Sequence, residues 1–293
     1  MNRRFQPGRL LAWAALIVFL AITLAPFYWM VRTAVTPAAD LYAERTLIAP
    51  THPTMINFWR ILGLVDAQTA RSAGGSGAQI DFLRYTLNSV IYCALIATVQ
   101  TFCCAMAGYA FARLRFPGRD LLFGLVVAAL MVPPIFTLLP NFSLVRSLDL
   151  IDTFAGMVAP SLLMTPFAVF FLRQFFLSVP REVEEAAVLD GAGKWGVFWR
   201  VIVPMSRGPL ITIALTTSVW AWKDYLWPLL VGRGEQTRVL TVALGVFLQQ
   251  SPNTQPDWTG LMAASVLSVL PVLVLLIFLG KRLVQSLSFS GLK

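Results

Sequence analysis

Charged residues are scarce in this chain. Only 13% of its 293 residues are Asp, Glu, Lys or Arg, while 57% are hydrophobic and the mean hydropathy is +0.72. An ordinary soluble domain carries roughly 25% charged residues. The composition therefore excludes a typical soluble globular protein and indicates a protein that lies in a lipid bilayer.

Histidine, cysteine and nucleotide-binding glycines are also rare or absent. The single histidine, His52, has no second histidine or cysteine beside it, and the three cysteines fall within one apolar run. This spacing does not suit a metal ion. No G-x-x-x-x-G-K-[ST] motif occurs, so the sequence predicts no ATP site of its own. We expect this chain to have no catalytic residue, no metal and no bound cofactor.

Long uncharged runs dominate the rest of the sequence. Most of them reach the ~20 residues that a helix needs to cross ~30 Å of hydrocarbon. The fifth run does so only if it continues through Lys223 and Asp224. We therefore predict an all-α, polytopic membrane protein with six transmembrane helices at residues 10–31, 85–112, 121–145, 154–172, 208–231 and 258–280.

The segments between these spans follow from the same boundaries. Pro133 and Pro134, followed by Pro140, are expected to break or kink the third span. The run at 239–250 is too short to cross and predicts an outer helix. The predicted segments are a cytoplasmic start (1–9), an outer loop (32–84), an inner loop (113–120), an outer loop (146–153), an inner loop (173–207), an outer loop with the short helix (232–257) and a cytoplasmic tail (281–293).

The net charge of +9 is explained by topology and does not require a nucleic-acid partner. With both termini in the cytoplasm, 14 of the 23 basic residues lie in inner segments beside five acids, whereas the outer segments hold equal numbers of each sign. An excess of Lys and Arg on the inner side is the pattern that orients membrane proteins. We expect a multi-pass protein of the bacterial inner membrane with both ends inside.

The inner loop at 173–207 carries the most specific pattern. Pro180 suits a first helical position, and the acids that follow suit the positive end of a helix dipole. Gly191 and Gly193 interrupt this helix after Asp190. A second short helix is predicted from Lys194 to about residue 201, ended by Pro204.

Three aromatic residues are placed on one face of that second helix. Trp195, Phe198 and Trp199 stand at i, i+3 and i+4, positions that lie side by side on a helix surface. An aromatic ridge flanked by polar residues predicts a partner with a pocket to receive it.

The loop also resembles a known signature. Residues 185–187 are Glu-Ala-Ala, Gly191 follows after three residues, and 201–204 read Val-Ile-Val-Pro. This is similar to the EAA loop of ABC importer permeases, E-A-A-x3-G-x9-I-x-L-P. Several further stretches resemble the carbohydrate-uptake branch, in particular its MalG-like permeases: residues 107–113 with Phe116, Gly118 and Arg119, then 152–153, 166–167, 171–176 and 222–228.

The resemblance implies a type I importer with several partners. It implies a second, MalF-like permease, two cytoplasmic ATPase subunits that use ATP and Mg, an external solute-binding protein and the bilayer. Ala186 and Ala187 would allow close approach to the ATPase, Glu185 would face a basic group on it, and Gly191 would make the turn. The coupling residues implied in this way are Glu185, Ala186, Ala187, Asp190, Gly191, Ala192, Trp195, Phe198, Trp199 and Pro204.

The fifth span offers a candidate substrate pathway. Lys223 and Asp224 are neighbours, so they point to different sides of a helix. One interpretation is that both extend to the outer interface. The other is that Asp224, with Trp222 and Tyr225, lines the outer end of the pathway.

Several functions remain open at this point. The resemblance favours import of a carbohydrate, such as an oligosaccharide, a polyol or a glycerol phosphate. A permease for a peptide or an oxyanion is the alternative. An ion-driven secondary transporter would be expected to place acids within paired half-helices, and a membrane-embedded enzyme would need titratable groups clustered at one depth. This sequence concentrates its inner acids in one loop, which disfavours both.

Overall fold

The computed structural model describes residues 7–41, 48–72, 79–249 and 256–288, so the predicted cytoplasmic ends lie partly outside it. Within these ranges all regular structure is helical, as predicted. The helices are α1 (Pro7–Ala34), α2 (Ile56–Ile61), α3 (Ala67–Ser72), α4 (Phe82–Arg113), α5 (Arg119–Ala129), α6 (Pro134–Ser147), α7 (Phe154–Leu162), α8 (Pro166–Ser178), α9 (Arg181–Leu189), α10 (Lys194–Val197), a π-helical turn (Phe198–Ile202), α11 (Val203–Met205), α12 (Arg207–Lys223), α13 (Leu226–Val231), α14 (Leu240–Gln249) and α15 (Trp258–Ser288).

Three of these helices are long and apolar enough to cross a membrane without a break. They contain the ranges Leu11–Ala34, Phe82–Arg113 and Trp258–Gly280, and two bent helix pairs bring the number to five among the described residues. The predicted fifth span is divided into α12 and α13 at Asp224 and Tyr225. The six-span topology therefore stays a prediction.

The third predicted span is sharply bent. Helices α5 and α6 meet at an angle of 103° across residues 130–133. The break falls where Pro133 and Pro134 predicted it, since Pro134 begins α6 and neither proline can donate a backbone hydrogen bond. Pro140 was expected to disturb the helix as well, but it lies inside α6 without ending it.

The predicted fourth span is also bent. Helices α7 and α8 meet at 45°, and Thr165 at the break has an extended backbone with φ −117° and ψ 141°. The physical reason is Pro166, because a residue that precedes proline is pushed away from the helical conformation. Helix α8 then continues to Ser178, beyond the predicted boundary at 172.

Side chains of α4 satisfy the backbone groups that this break releases. In a continuous helix the Ser161 carbonyl would accept from the Thr165 amide. Here the Gln100 side-chain amide donates to the Ser161 carbonyl, and the Thr165 amide lies 3.5 Å from the Cys104 sulfur. Gln100 also accepts from the Thr217 hydroxyl at 3.1 Å. Unpaired backbone groups at membrane depth cost several kcal/mol each, so these contacts are what makes the break tolerable.

The chain divides into two compact units. The first contains Met1–Leu83 and Ala243–Leu270. In it, the Asn57 side chain donates to the carbonyls of Ala34, the last residue of α1, and of Thr36, both at 2.9 Å. Arg60 and Asp257 form a buried ion pair at 2.9 Å. These contacts fix α2, in the predicted outer loop, to the end of α1 and to the start of α15.

The second unit contains Arg84–Val242 and Pro271–Lys293 and holds the core around the predicted coupling loop. Helices α4 and α8 approach closely, since a Cβ atom at Gly108 would lie 3.2 Å from the Leu172 Cβ. The buried core formed here takes in Phe198 at 2% exposure, whose ring centroid lies 5.2 Å from that of Tyr109. The core members are Cys104, Ala105, Tyr109, Ala112, Ala168, Val169, Leu172, Phe176, Val179, Val197, Phe198, Ile202 and Ile213.

The burial of Phe198 yields a stability prediction. Phe198→Ala removes a large buried ring and should cost about 3–5 kcal/mol of unfolding free energy. Trp195→Ala alters a side chain that is 65% exposed and should change it by about 0.5 kcal/mol. Thermal unfolding of the purified variants in detergent measures both. Equal losses for the two variants would contradict the inward placement of Phe198.

Candidate coupling site

The coupling loop begins with a helix start of the predicted kind. Pro180 is the residue before the first helical one, with ψ 137°, and α9 then runs from Arg181 to Leu189. The sequence predicted Pro180 as the first helical residue, so the predicted start of the helix is one position too early. Glu182 and Glu184 lie in the first turn of α9, where the helix dipole stabilises negative charge.

The predicted turn at Gly191 is confirmed. Gly191 has φ +84°, a left-handed conformation that glycine adopts without strain. The Ala192 amide donates to the Ala187 carbonyl and the Gly191 amide to the Val188 carbonyl, both at 2.9 Å. These two bonds form a Schellman motif, which ends α9 and turns the chain. We call the segment 190–193 the elbow.

The second helix is longer than predicted, and Pro204 does not end it. The helical path continues through α10, the π-helical turn and α11 to Met205. In an α-helix the Pro204 ring would collide with the carbonyl four residues earlier, at Arg200. The π-helical turn contains that position, and such wider turns relieve the collision without ending a helix.

The aromatic residues after the elbow contact one another but do not form one exposed face. The ring of Phe198 is in T-shaped contact with those of Trp195 and Trp199, with centroid distances of 6.2 Å and 5.3 Å. Phe198 itself points into the core, so the expectation that it anchors a partner is wrong. Periodicity groups the three rings correctly but does not say which of them meets the chain's own core.

Trp199 is half exposed and engaged within the chain. Its ring stacks on Phe102 of α4 at 5.7 Å with an interplanar angle of 19°. Both rings line a mostly apolar cavity of about 440 Å³ between α4, the π-helical turn and α12. Trp195, at 65% exposure, is the most exposed aromatic residue of this group.

The outward surface of the loop is formed by α9 and the elbow. Helix α9 has no fully buried residue, and Glu185, Ala186 and Asp190 are exposed. Ala187 and Ala192 are partly buried against the core. Leu189, which the sequence reasoning missed, is 88% exposed. The available signal was a large apolar residue directly before Asp190 and the glycines of the turn. We call Glu185, Ala186, Leu189, Asp190 and Trp195 the docking surface.

A second missed feature lies on the inner side of α9. Arg113 Nε, at the end of α4, lies 2.7 Å from Glu184 Oε1. Burial raises the pKa of Glu184, and the Arg113 charge opposes this shift. Sequence reasoning counted both residues as inner charges but had no signal to pair them, since 71 positions separate them.

The candidate pathway residues lie at the break between α12 and α13. Asp224 is half buried, and its Oδ2 accepts the Tyr92 hydroxyl at 2.9 Å. Trp222 is partly buried and Tyr225 is exposed. Lys223 is exposed and lies over the Trp220 ring at 5.7 Å. As expected from their spacing, Lys223 and Asp224 point different ways, and Asp224 turns towards α4.

Asp224 is thus tied into the chain on two sides. Its backbone carbonyl accepts the Thr241 hydroxyl at 2.7 Å, in addition to the Tyr92 contact. Among the described residues no group of three His, Cys, Asp or Glu side chains lies close enough to hold a metal ion. The two polar contacts to Asp224 come from Tyr92 of α4 and Thr241 of α14.

Comparison with known proteins identifies the class of the chain. Residues 105–289 match the family described as binding-protein-dependent transport system inner membrane component. This match covers the coupling loop and all of the chain that follows it up to residue 289. It therefore includes more than half of the 293 residues.

Individual relatives agree with this match. The arabinooligosaccharides transport system permease protein AraQ of Bacillus subtilis is 31% identical over 72% of this chain and 74% of its own length. The sn-glycerol-3-phosphate transport system permease protein UgpE of Yersinia pestis bv. Antiqua is 28% identical over 93% of each chain.

A solved structure shows the same fold. A chain of a bacterial ABC transporter involved in the import of the acidic polysaccharide alginate superposes with a TM-score of 0.76 at 21% identity, over 96% of this chain and 98% of that one. The chain belongs to the binding-protein-dependent transport system inner membrane components, the permeases of ABC importers.

Proposed function

We propose that this permease imports a carbohydrate, and that its docking surface couples the transport pathway to a separate ATPase. The observation that carries the coupling role is the division of the loop into two parts. The part after the elbow is buried through Val197, Phe198 and Ile202, whereas α9 has no fully buried residue. One part fixes the loop to this chain, and the other is available to a partner.

The exposed residues of the docking surface suit a protein partner. Leu189 and Trp195 are large, exposed apolar side chains on the predicted cytoplasmic side. In protein interfaces, a small number of large side chains supplies most of the binding energy. Glu185 and Asp190 add negative charge beside them. The expected partner surface is an apolar pocket with a basic rim.

The partners of the chain follow from its family. We propose a second, MalF-like permease, two ATPase subunits that use ATP and Mg, and an external solute-binding protein. This chain would bind no nucleotide itself. We place it in the bacterial inner membrane with both termini in the cytoplasm, as its charge distribution predicts.

The docking prediction rests on one exposed leucine. Leu189→Asp should weaken binding of the cognate ATPase by about 2 kcal/mol, or roughly thirtyfold in Kd, because a charge replaces an apolar anchor. Titration of the ATPase against the permease complex in detergent measures the change. Leu64→Asp is the matched control, because Leu64 is 71% exposed in the predicted outer loop.

The two leucine variants separate the possible outcomes. Leu64→Asp should leave the ATPase affinity unchanged. If the permease complex still assembles and Leu189→Asp does not change its affinity for the ATPase, the docking role of α9 is contradicted.

The proposed solute is a carbohydrate, most simply an oligosaccharide, a polyol or a glycerol phosphate. The names of AraQ and UgpE support this class, because one is described as a transporter of arabinooligosaccharides and the other of sn-glycerol-3-phosphate. A peptide or an oxyanion is the alternative. The ligand that co-purifies with the cognate solute-binding protein separates these classes.

We also propose that Trp222, Asp224 and Tyr225 contribute to the outer end of the substrate pathway. The break between α12 and α13 exposes Tyr225, and aromatic rings beside a carboxylate suit the faces and hydroxyl groups of a sugar. This assignment is independent of the docking surface.

The pathway role of Asp224 depends on its charge. Asp224→Asn keeps an acceptor for the Tyr92 hydroxyl but removes the negative charge, so the fold should survive. We expect the KM for transport to rise by about twofold to tenfold, the effect of one weakened hydrogen bond. Uptake of labelled solute by proteoliposomes measures it, with Lys223→Gln at the neighbouring exposed position as the control. An unchanged transport rate and solute range would remove Asp224 from the pathway.

A further inference from the structure

The Arg113 guanidinium lies where α4, α8 and α9 meet. Its Nη2 donates to the Phe176 carbonyl at 2.7 Å and to the Val179 carbonyl, and its Nε faces Glu184. The side chains of Arg113 and Glu184 are only 6% and 15% exposed. One side chain therefore joins the end of one helix to the end of a second and to the first turn of a third.

Electrostatics favours this arrangement at each contact. The last carbonyls of a helix have no partners within it, and a cation near them is stabilised by the helix dipole. The carbonyls of Phe176 and Val179 are at the end of α8. Glu184 in the first turn of α9 balances the charge that Arg113 brings, so the buried arginine has an opposite charge beside it and two carbonyl acceptors for its Nη2.

A second attachment lies on the other side of the elbow. Tyr109, one helical turn before Arg113 on α4, packs against Phe198 after the elbow. Helices α4 and α8 are themselves in close contact at Gly108 and Leu172. The elbow is thus held to this helix pair at both ends, by Phe198 after it and by Glu184 before it.

Among the described residues, the attachments of α9 to the core include the contact between Arg113 and Glu184 and the packing of Ala187. Helix α9 contains no fully buried residue, and Val179 and Pro180 between α8 and α9 have extended backbones with ψ 130° and 137°. Without the contact between Arg113 and Glu184, α9 would be connected to α8 by this extended link and to the core by the partly buried Ala187.

We propose that Arg113 is a positioning residue for energy coupling, which through Glu184 makes α9 move as one body with α4 and α8. This role rests on the proposed docking of α9 to the ATPase. Movement of the ATPase would then displace the cytoplasmic ends of two membrane-spanning elements together. When the pair is broken, the ATPase still docks, but α9 turns on its extended link and less of the displacement reaches the spans.

The test uses the assembled transporter in proteoliposomes with its solute-binding protein. The variants are Glu184→Gln, Arg113→Gln and the double variant. Glu182→Gln and Arg115→Gln are the matched controls, because each changes an exposed residue of the same type two positions away. Three quantities are measured: ATPase retained by the purified complex, solute transported per ATP hydrolysed, and the Tm of the complex.

We expect Glu184→Gln to retain the ATPase and to lower the amount of solute transported per ATP by about fivefold or more, at the lower end of usual coupling energies. Arg113→Gln should do the same and lower the Tm, because it leaves Glu184 buried without its cation. The double variant should recover part of the lost Tm, because no unpaired charge remains although the Phe176 and Val179 carbonyls still lack the guanidinium, while its transport per ATP stays low. The two controls should match the unmodified transporter.

Several results would overturn the proposal. Unchanged transport per ATP in Glu184→Gln would do so, as would a ratio that recovers together with Tm in the double variant, because the pair would then be only structural. Loss of the ATPase from Glu184→Gln would make Glu184 a docking residue instead. If Leu189→Asp does not weaken docking of the ATPase, the proposed function itself is wrong. If Leu189→Asp weakens docking but Glu184→Gln transports the normal amount of solute per ATP, only the proposed role of Arg113 and Glu184 is rejected.

Discussion

Backbone groups released where helices break must find partners, and in the second unit side chains of α4 supply many of them. Gln100 and Cys104 satisfy the break between α7 and α8, and Arg113 satisfies the end of α8. Near the other end, the Asn88 side chain donates to two carbonyls in the segment that follows α13. Because the bilayer interior offers no water as an alternative partner, the break between α7 and α8 depends on the long, unbroken helix beside it.

The same contacts with α4 explain how an irregular loop can present a docking surface in a fixed position. Glycine at 191 allows a tight turn, and the wider π-helical turn accommodates Pro204 without ending the helix. Each of these irregular features would loosen the loop if it stood alone. The packing of Phe198 on Tyr109 and the contact between Arg113 and Glu184 hold the two sides of the elbow to the same helix. Local irregularity and fixed placement are therefore compatible.

The sequence predicted the features that depend on local chemistry. Consecutive prolines at 133 and 134 located a break, and the spacing from Glu185 to Gly191 located the elbow. The break at Thr165 also had a signal, because Pro166 restricts the residue before it, but a continuous apolar run concealed it. A run of apolar residues indicates that a segment lies in lipid, but it does not show whether the helix within that segment is unbroken.

Features that depend on tertiary contacts could not be predicted from local sequence patterns. Helical spacing grouped Trp195 and Phe198 but gave no means to decide which ring enters the core. Likewise, counting charges assigned Arg113 and Glu184 to the inner side, where both fitted an ordinary solvated surface. Their pairing depends on where α4 and α8 end in space, which no local pattern encodes.

The central claim is that α9 and the end of α4 that carries Arg113 move as one body. Spin labels carried by unnatural amino acids at the exposed positions 115 and 182 leave the three native cysteines in place, and pulsed electron resonance then measures the distance between them in the full transporter. The account predicts one narrow distance distribution that is the same in the nucleotide-free and ATP-bound states. A distribution that shifts or broadens when ATP binds would contradict it.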